Sequence, residues 1–124
     1  MIKLIILDVD GTLTKGGILI GNSGEEFKEF NVKDGYMIAS ARKKCGKIFA
    51  IITGRNSKIV SIRAKELGIT HLYQGIDDKI VIYEQLKKML DVTDEEIGYI
   101  GDDLNDFEVM KKVGDAVGNV QAYK

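Results

Sequence analysis

An apolar run that ends in paired carboxylates most constrains this chain: Ile2-Lys3-Leu4-Ile5-Ile6-Leu7-Asp8-Val9-Asp10-Gly11-Thr12-Leu13-Thr14. A nearly continuous apolar stretch reads as a strand buried on both faces, as in a parallel sheet covered by helices. Asp8 and Asp10 follow at its end. If the chain turns there, both carboxylates aim at one point beyond the strand, where open α/β sheets bind ligands. Two close carboxylates repel unless a cation or a proton relieves them. The pair suits one aspartate as nucleophile or metal ligand and the other as proton carrier. In isolation, an Asp-x-Asp-Gly turn that merely accepts backbone N–H bonds would look the same.

The remaining chain alternates helical and strand patterns. Residues 15 to 31 are glycine-rich and predict a β-hairpin, with strands near 18–20 and 25–31 and a turn over Gly21 to Gly24. Phe27 and Phe30 would face opposite sides of this ribbon, so a bulge or another subunit must cover one of them. Asp34 is expected to cap a helix with Met37, Ile38, Ala41 and Cys45 inward, closed by Gly46. Ile48 to Ile52 is a second buried strand, leading through Thr53-Gly54-Arg55-Asn56-Ser57 into a helix with Val60, Ala64 and Leu67 inward. His71 to Gln74 is a short strand, with the lone histidine at its start, away from the expected site. Lys79 opens a helix with Ile82, Leu86, Met89 and Leu90 inward. Thr93-x-x-Glu96 reads as a capping box before the strand Ile97 to Ile100. After Gly101-Asp102-Asp103-Leu104-Asn105-Asp106 comes a last helix with Phe107, Met110 and Val113 inward, then at most one short strand. Alternating strands and helices imply a parallel sheet with right-handed crossovers. The expected fold is therefore α/β: a Rossmann-like three-layer sandwich with a central parallel sheet and a β-hairpin after the first strand.

At 124 residues the chain is expected to be one domain, spanning 1–124. A net charge of −1 points away from nucleic acid and from acidic membrane surfaces. The single cysteine, Cys45, excludes an internal disulfide, reads as a core residue and suits a reducing cytoplasm. No run reaches membrane-spanning length, and Met1-Ile2-Lys3 enters the first strand without a signal-peptide pattern.

Four polar clusters fall after the C-terminal ends of strands or at helix starts: Asp8 and Asp10; Thr53-Gly54-Arg55; Lys79; and Asp102, Asp103 and Asp106. So many carboxylates in one cleft need a divalent cation, and an all-oxygen set beside a phosphate suits Mg²⁺. The Thr53 hydroxyl and the Gly54 N–H can donate to an anion, and Lys79 adds a positive charge. Each cluster alone has an ordinary explanation as a turn, a cap or a solvated charge. Together they describe a phosphoryl-transfer site.

In this order, the clusters resemble the four motifs of the haloacid dehalogenase-like phosphatase superfamily. The resemblance implies Asp8 as the nucleophile that becomes an aspartyl phosphate. It implies Asp10 as the group that protonates the leaving oxygen and then deprotonates the attacking water. Mg²⁺ would be held by the carboxylates of Asp8 and Asp102 and by the backbone carbonyl of Asp10, with Asp103 and Asp106 acting through water or orienting Lys79. Thr53, Gly54 and Lys79 would hold the phosphate. More narrowly, Phe30-Asn31-Val32-Lys33-Asp34-Gly35, Thr53-Gly54-Arg55 and Gly101-Asp102-Asp103-x-x-Asp106-x-x-Val109-Met110-Lys111-Lys112-Val113-Gly114 resemble the 3-deoxy-D-manno-octulosonate 8-phosphate phosphatases, as does the lack of a cap domain. That likeness implies lipopolysaccharide biosynthesis, Lys33, Asp34 and Arg55 near the sugar acid, and a homotetramer assembled by the hairpin. Arg55 could pair with the sugar's carboxylate. Members of that family normally continue beyond the point matching Lys124, through another strand, a helix and a glycine-rich tail.

Other readings stay open at this level. One is a phosphatase for an acylneuraminate 9-phosphate or another small phosphate. Another is a family member weakened in catalysis that serves regulation or assembly. A receiver-like domain, which also uses acidic residues at strand ends, needs a phospho-acceptor after the third strand. Here that strand ends in Gln74-Gly75.

Overall fold

The structure, a computed structural model, describes residues 2–9, 19–20, 26–27, 32–101 and 107–117. Strand β1 (Leu4–Leu7) is the middle of a five-stranded sheet. The other strands are β4 (Ile48–Ile52), β5 (His71–Tyr73), β6 (Ile97–Ile100) and β7 (Asp115–Val117), in the order β5-β4-β1-β6-β7. Every neighbouring pair is parallel. Among the described residues four α-helices connect them: α1 (Val32–Cys45), α2 (Lys58–Glu66), α3 (Lys79–Leu90) and α4 (Phe107–Lys112). The expected three-layer α/β architecture is the one observed.

Period-2 alternation along β1 builds both cores at once. Leu4 and Ile6, fully buried, face Tyr83 and Leu86 of α3 and Val109 of α4. Leu7 and Val9 face Ile38 of α1 and Val60 and Ala64 of α2. Each such side chain, taken fully out of water, contributes about 1.5–3 kcal/mol. This is why the first strand must be apolar on both faces.

Strand order then locates the ligand crevice. The chain steps outward from β1 through β4 to β5, then returns to pair β6 with the other edge of β1. The reversal makes the C-terminal ends of β1 and β6 a topological switch point.

The hairpin forms as β2 (Leu19–Ile20) and β3 (Glu26–Phe27), antiparallel, with Leu19 opposite Phe27. It is a two-stranded sheet separate from the central one. Its turn and Phe30 lie outside the described residues.

Four details differ from expectation. Helix α1 begins at Val32, so Asp34 is its third residue and not its cap. An acid in the first turn still complements the positive helix end. Cys45 is exposed: it ends α1, one residue before Gly46 reverses the chain at φ +65°, so the apolar stripe overruns the core there. Met89 is 57% exposed, and Tyr83 is fully buried instead. The inner stripe of α3 is Lys79, Tyr83, Leu86 and Leu90, spaced four, three and four, which leaves Met89 off the face. In α4 Val109, outside the expected inward set, is fully buried; Val113, one residue past the helix, packs against the core as expected, and the side chains of Phe107 and Met110 are not among those described.

A polar network fastens the turn before β6. The buried Tyr83 hydroxyl donates to Asp94, and Lys87 lies 2.9 Å from the same carboxylate. Glu96 accepts the Thr93 N–H at 3.0 Å, the expected capping box, and lies 2.7 Å from Lys3 beside β1. The Lys3 ammonium, then the Thr93 N–H, holds the Glu96 carboxyl down to about 2. The Tyr83 hydroxyl, then Lys87, lowers Asp94. Unfolded carboxyls titrate near roughly 4, so the stability these two add is complete above that range and is lost as pH falls from there through their lower folded-state values, about 2 for Glu96. Melting followed by circular dichroism is expected to show Tm dropping between about pH 5 and pH 2, with Glu96→Gln lowering the neutral Tm modestly and flattening the acid limb. An acid limb unchanged by Glu96→Gln would contradict this account.

Candidate active site

Burial singles out the site. Among the described residues the buried polar side chains are Asp8, Thr53 and Lys79, exposed by 2%, 3% and 1%. All three were marked by the sequence, and all three lie at the C-terminal edge of the sheet.

The Asp8 N–H donates to the Ile100 carbonyl at 2.9 Å, extending the β1–β6 ladder by one residue. Its carboxylate is thus anchored at the switch point. Alternation sends Asp8 to the side of Leu4 and Ile6, the side of α3. Lys79 is the first residue of α3 and begins the stripe that carries Tyr83 and Leu86 into the core. The Lys79 ammonium lies 3.2 Å from Asp8 Oδ1, with both side chains inaccessible to water. A lysine buried at the positive end of a helix is disfavoured twice, by desolvation and by the helix dipole. The Asp8 carboxylate offsets both.

Thr53 follows β4. Its N–H donates to the Tyr73 carbonyl at 3.0 Å, and its carbonyl accepts the Ile76 N–H at 3.1 Å. Gly54 and Arg55 are exposed beyond the buried group. Gly75, at φ +66°, donates its N–H to the Arg55 carbonyl at 3.4 Å. A Cβ at Gly75 would come within 2.6 Å of the Asn56 amide nitrogen, so the two loops touch closely here. Ser57 caps α2 by backbone conformation alone, without a bond from its own side chain. The loop after β4 and the start of the loop that leads to Lys79 are therefore joined.

The structure thus pairs Asp8 with Lys79 and leaves Thr53 buried at the end of the neighbouring strand β4, with Gly54 and Arg55 next in the chain. Lys33 and Asp34 fall in the first turn of α1, and their side chains are not among those described. Asp10, Asp102, Asp103 and Asp106 lie outside the described residues; Asp102 directly follows the buried Gly101 at the end of β6. His71 starts β5, at the opposite end of the strand from this edge. Gln74, by sequence only the end of a strand, also takes part at this edge. Its Oε1 accepts the Ser57 N–H at 2.8 Å, and its Nε2 donates to Ser61 Oγ at 2.9 Å. No local pattern marks that residue; only the pairing of β5 with β4 brings it to α2.

Chemically, the arrangement offers a carboxylate oxygen held beside a fixed cation, with hydroxyl and backbone donors at the next strand end. Such a set suits an anion bound next to an oxygen nucleophile. A model of haloacid dehalogenase-like hydrolases matches residues 22–122. The chain belongs to this family. It is 49% identical over 122 residues to the 3-deoxy-D-manno-octulosonate 8-phosphate phosphatase of Escherichia coli strain K12, covering 98% of this chain and 64% of that protein. The crystal structure of the Yersinia pestis phosphatase of that name is 50% identical, with a TM-score of 0.91 over 94% of this chain and 63% of that one. A Moraxella catarrhalis phosphatase of the same name, crystallised with a magnesium ion, a phosphate ion and a KDO molecule, is 45% identical, with a TM-score of 0.88 over 94% of this chain and 67% of that one. The chain therefore spans under two thirds of the length of the curated relatives it matches.

Removing one partner of a buried ion pair leaves an uncompensated charge, at a cost of about 3–5 kcal/mol. Lys79→Met is expected to lose stability in that range in urea unfolding without added metal. The double variant Asp8→Asn/Lys79→Met should recover most of the loss, and additive losses would refute the coupling.

Proposed function

We propose that this chain is the catalytic core, a single domain over residues 1–124, of a Mg²⁺-dependent phosphomonoesterase for a small sugar-acid phosphate, foremost 3-deoxy-D-manno-octulosonate 8-phosphate. The observation that carries this reading is the buried Asp8–Lys79 pair at 3.2 Å at the switch point, with Thr53 buried at the adjacent end of β4. Similarity to phosphatases named for that substrate supports the choice of sugar.

The residues fit a hard dication. Asp8 is a buried oxygen donor at the crevice, and the neighbouring strand end continues into Asp102. Asp8, Asp102 and the Asp10 carbonyl would hold Mg²⁺, with Asp103 and Asp106 acting through water or orienting Lys79. When bound, Mg²⁺ supplies charge neutralisation to the phosphoryl oxygens.

In the proposed reaction an Asp8 carboxylate oxygen attacks phosphorus, and the bond to the sugar oxygen breaks. Asp10 gives that oxygen its proton. A water, deprotonated by Asp10, then attacks the aspartyl phosphate and releases inorganic phosphate, restoring Asp8. Lys79, Thr53 and the Gly54 N–H hold the phosphoryl oxygens during both steps. Arg55, exposed beyond the buried group, is the candidate partner for the sugar's carboxylate, with Lys33 and Asp34 near it.

This reading predicts phosphate release from 3-deoxy-D-manno-octulosonate 8-phosphate that requires Mg²⁺ and stops with chelator. Asp8→Asn and Asp10→Asn should each lower turnover by at least about 10³-fold while leaving the circular dichroism spectrum intact. An active Asp8→Asn variant would overturn the mechanism. Faster release from an acylneuraminate 9-phosphate would overturn the substrate assignment.

The reading extends to assembly and setting. A two-stranded hairpin standing apart from the main sheet is marginal by itself and gains stability from cover by other subunits, which supports a homotetramer. A cytoplasmic setting suits the free, exposed Cys45 thiol. Deleting Gly16 to Glu29 is expected to yield monomers; an unchanged oligomer in light scattering would argue against the hairpin interface.

A further inference from the structure

We propose that Gln74 is a positioning residue for the loop Thr53–Ser57, setting where Thr53, Gly54 and Arg55 meet the phosphate and its sugar. The inference rests on the phosphatase reading for its effect on turnover, and on geometry for the clamp itself.

A helix start leaves backbone N–H groups needing acceptors, and the N-cap's own N–H is often served by a Glu or Gln three residues on. In α2 that position is Val60, which has no acceptor to offer. Gln74 does this work from the end of β5, accepting the Ser57 N–H at 2.8 Å across 17 positions of sequence. Its other amide atom donates to Ser61 Oγ at 2.9 Å, one turn into α2, so the side chain is fixed at both polar ends. The flanking backbone joins the same two segments through Tyr73 to Thr53, Thr53 to Ile76 and Arg55 to Gly75. Gln74 adds side-chain hydrogen bonds to this seam. Its neighbours lead in one direction to Lys79 and in the other to Thr53. A loop that shifts by even a fraction of an ångström moves its donors off the phosphoryl oxygens.

Gln74→Met keeps the length of the side chain and removes both polar atoms. Because Gln74 is only half-buried, the variant is expected to fold. Two readouts decide. Amide hydrogen exchange at Ser57 should rise about tenfold or more in the variant, the mark of a freed N–H. With 3-deoxy-D-manno-octulosonate 8-phosphate and Mg²⁺, KM should rise about tenfold and kcat should fall as well, since the displaced donors serve both binding and the chemical steps. A residue that merely stabilised the fold would, when lost, reduce the active fraction and so the apparent kcat, leaving KM in place. Ser61→Ala, which removes only the second anchor, should raise KM in the same direction by less. Wild-type KM and unchanged Ser57 protection in Gln74→Met would overturn the proposal. No turnover by the wild-type chain would overturn the phosphatase reading alone, since the Ser57 amide still reports whether Gln74 holds the loop.

Discussion

A buried ammonium at a helix N-terminus requires a fixed anion, and this structure is arranged so that one is there. Lys79 sits where both desolvation and the dipole of α3 oppose its charge. The carboxylate of Asp8, 3.2 Å away, is held by the last rung of the β1–β6 ladder. Neither side chain chose its place independently. Alternation along β1 turns Asp8 toward α3, and the stripe through Tyr83 and Leu86 turns Lys79 toward β1. The packing that makes the core also makes the site.

Such a pair is weak evidence for stability, because desolvation consumes much of the Coulomb gain. It is better evidence for function. An apolar pair of the same volume would fold at least as well, whereas a phosphate-handling site needs a carboxylate that is ready to attack and a cation that stays put. Thr53, buried at the adjacent strand end, adds a donor that an apolar core has no use for.

The two loops flanking this group are joined by backbone hydrogen bonds, by the close approach of Gly75 to Asn56, and by the Gln74 amide. Catalytic electrostatics depend on donors that do not reorganise during the reaction. Stitching the Thr53 loop to the segment before Lys79 is one way to obtain that rigidity from loops, which are otherwise the most mobile parts of a fold. The capping box at Thr93 and the Tyr83–Asp94 bond do similar work at the opposite end of the sheet, where they secure the entry to β6.

By itself, the sequence marked candidate residues for chemistry and determined which segments are strands or helices. Asp8, Thr53 and Lys79 were legible because acid, hydroxyl and amine at strand ends or helix starts have few structural uses together. The strands were legible because burial on both faces demands unbroken apolar runs. Faces of helices were legible only in part: Cys45 and Met89 fit a 3.6-residue repeat but miss the core, while Tyr83, outside the expected inward set of its helix, is buried with its hydroxyl on Asp94. Tertiary structure alone decided the strand order, and with it the switch point that makes Asp8 and Lys79 neighbours across 71 positions of sequence. It also decided that Gln74 serves the start of α2. The physical reason is the same in each case. Periodicity and residue type are local properties of the chain, whereas pairing partners depend on which strands lie side by side, and that is settled by the packing of the whole sheet.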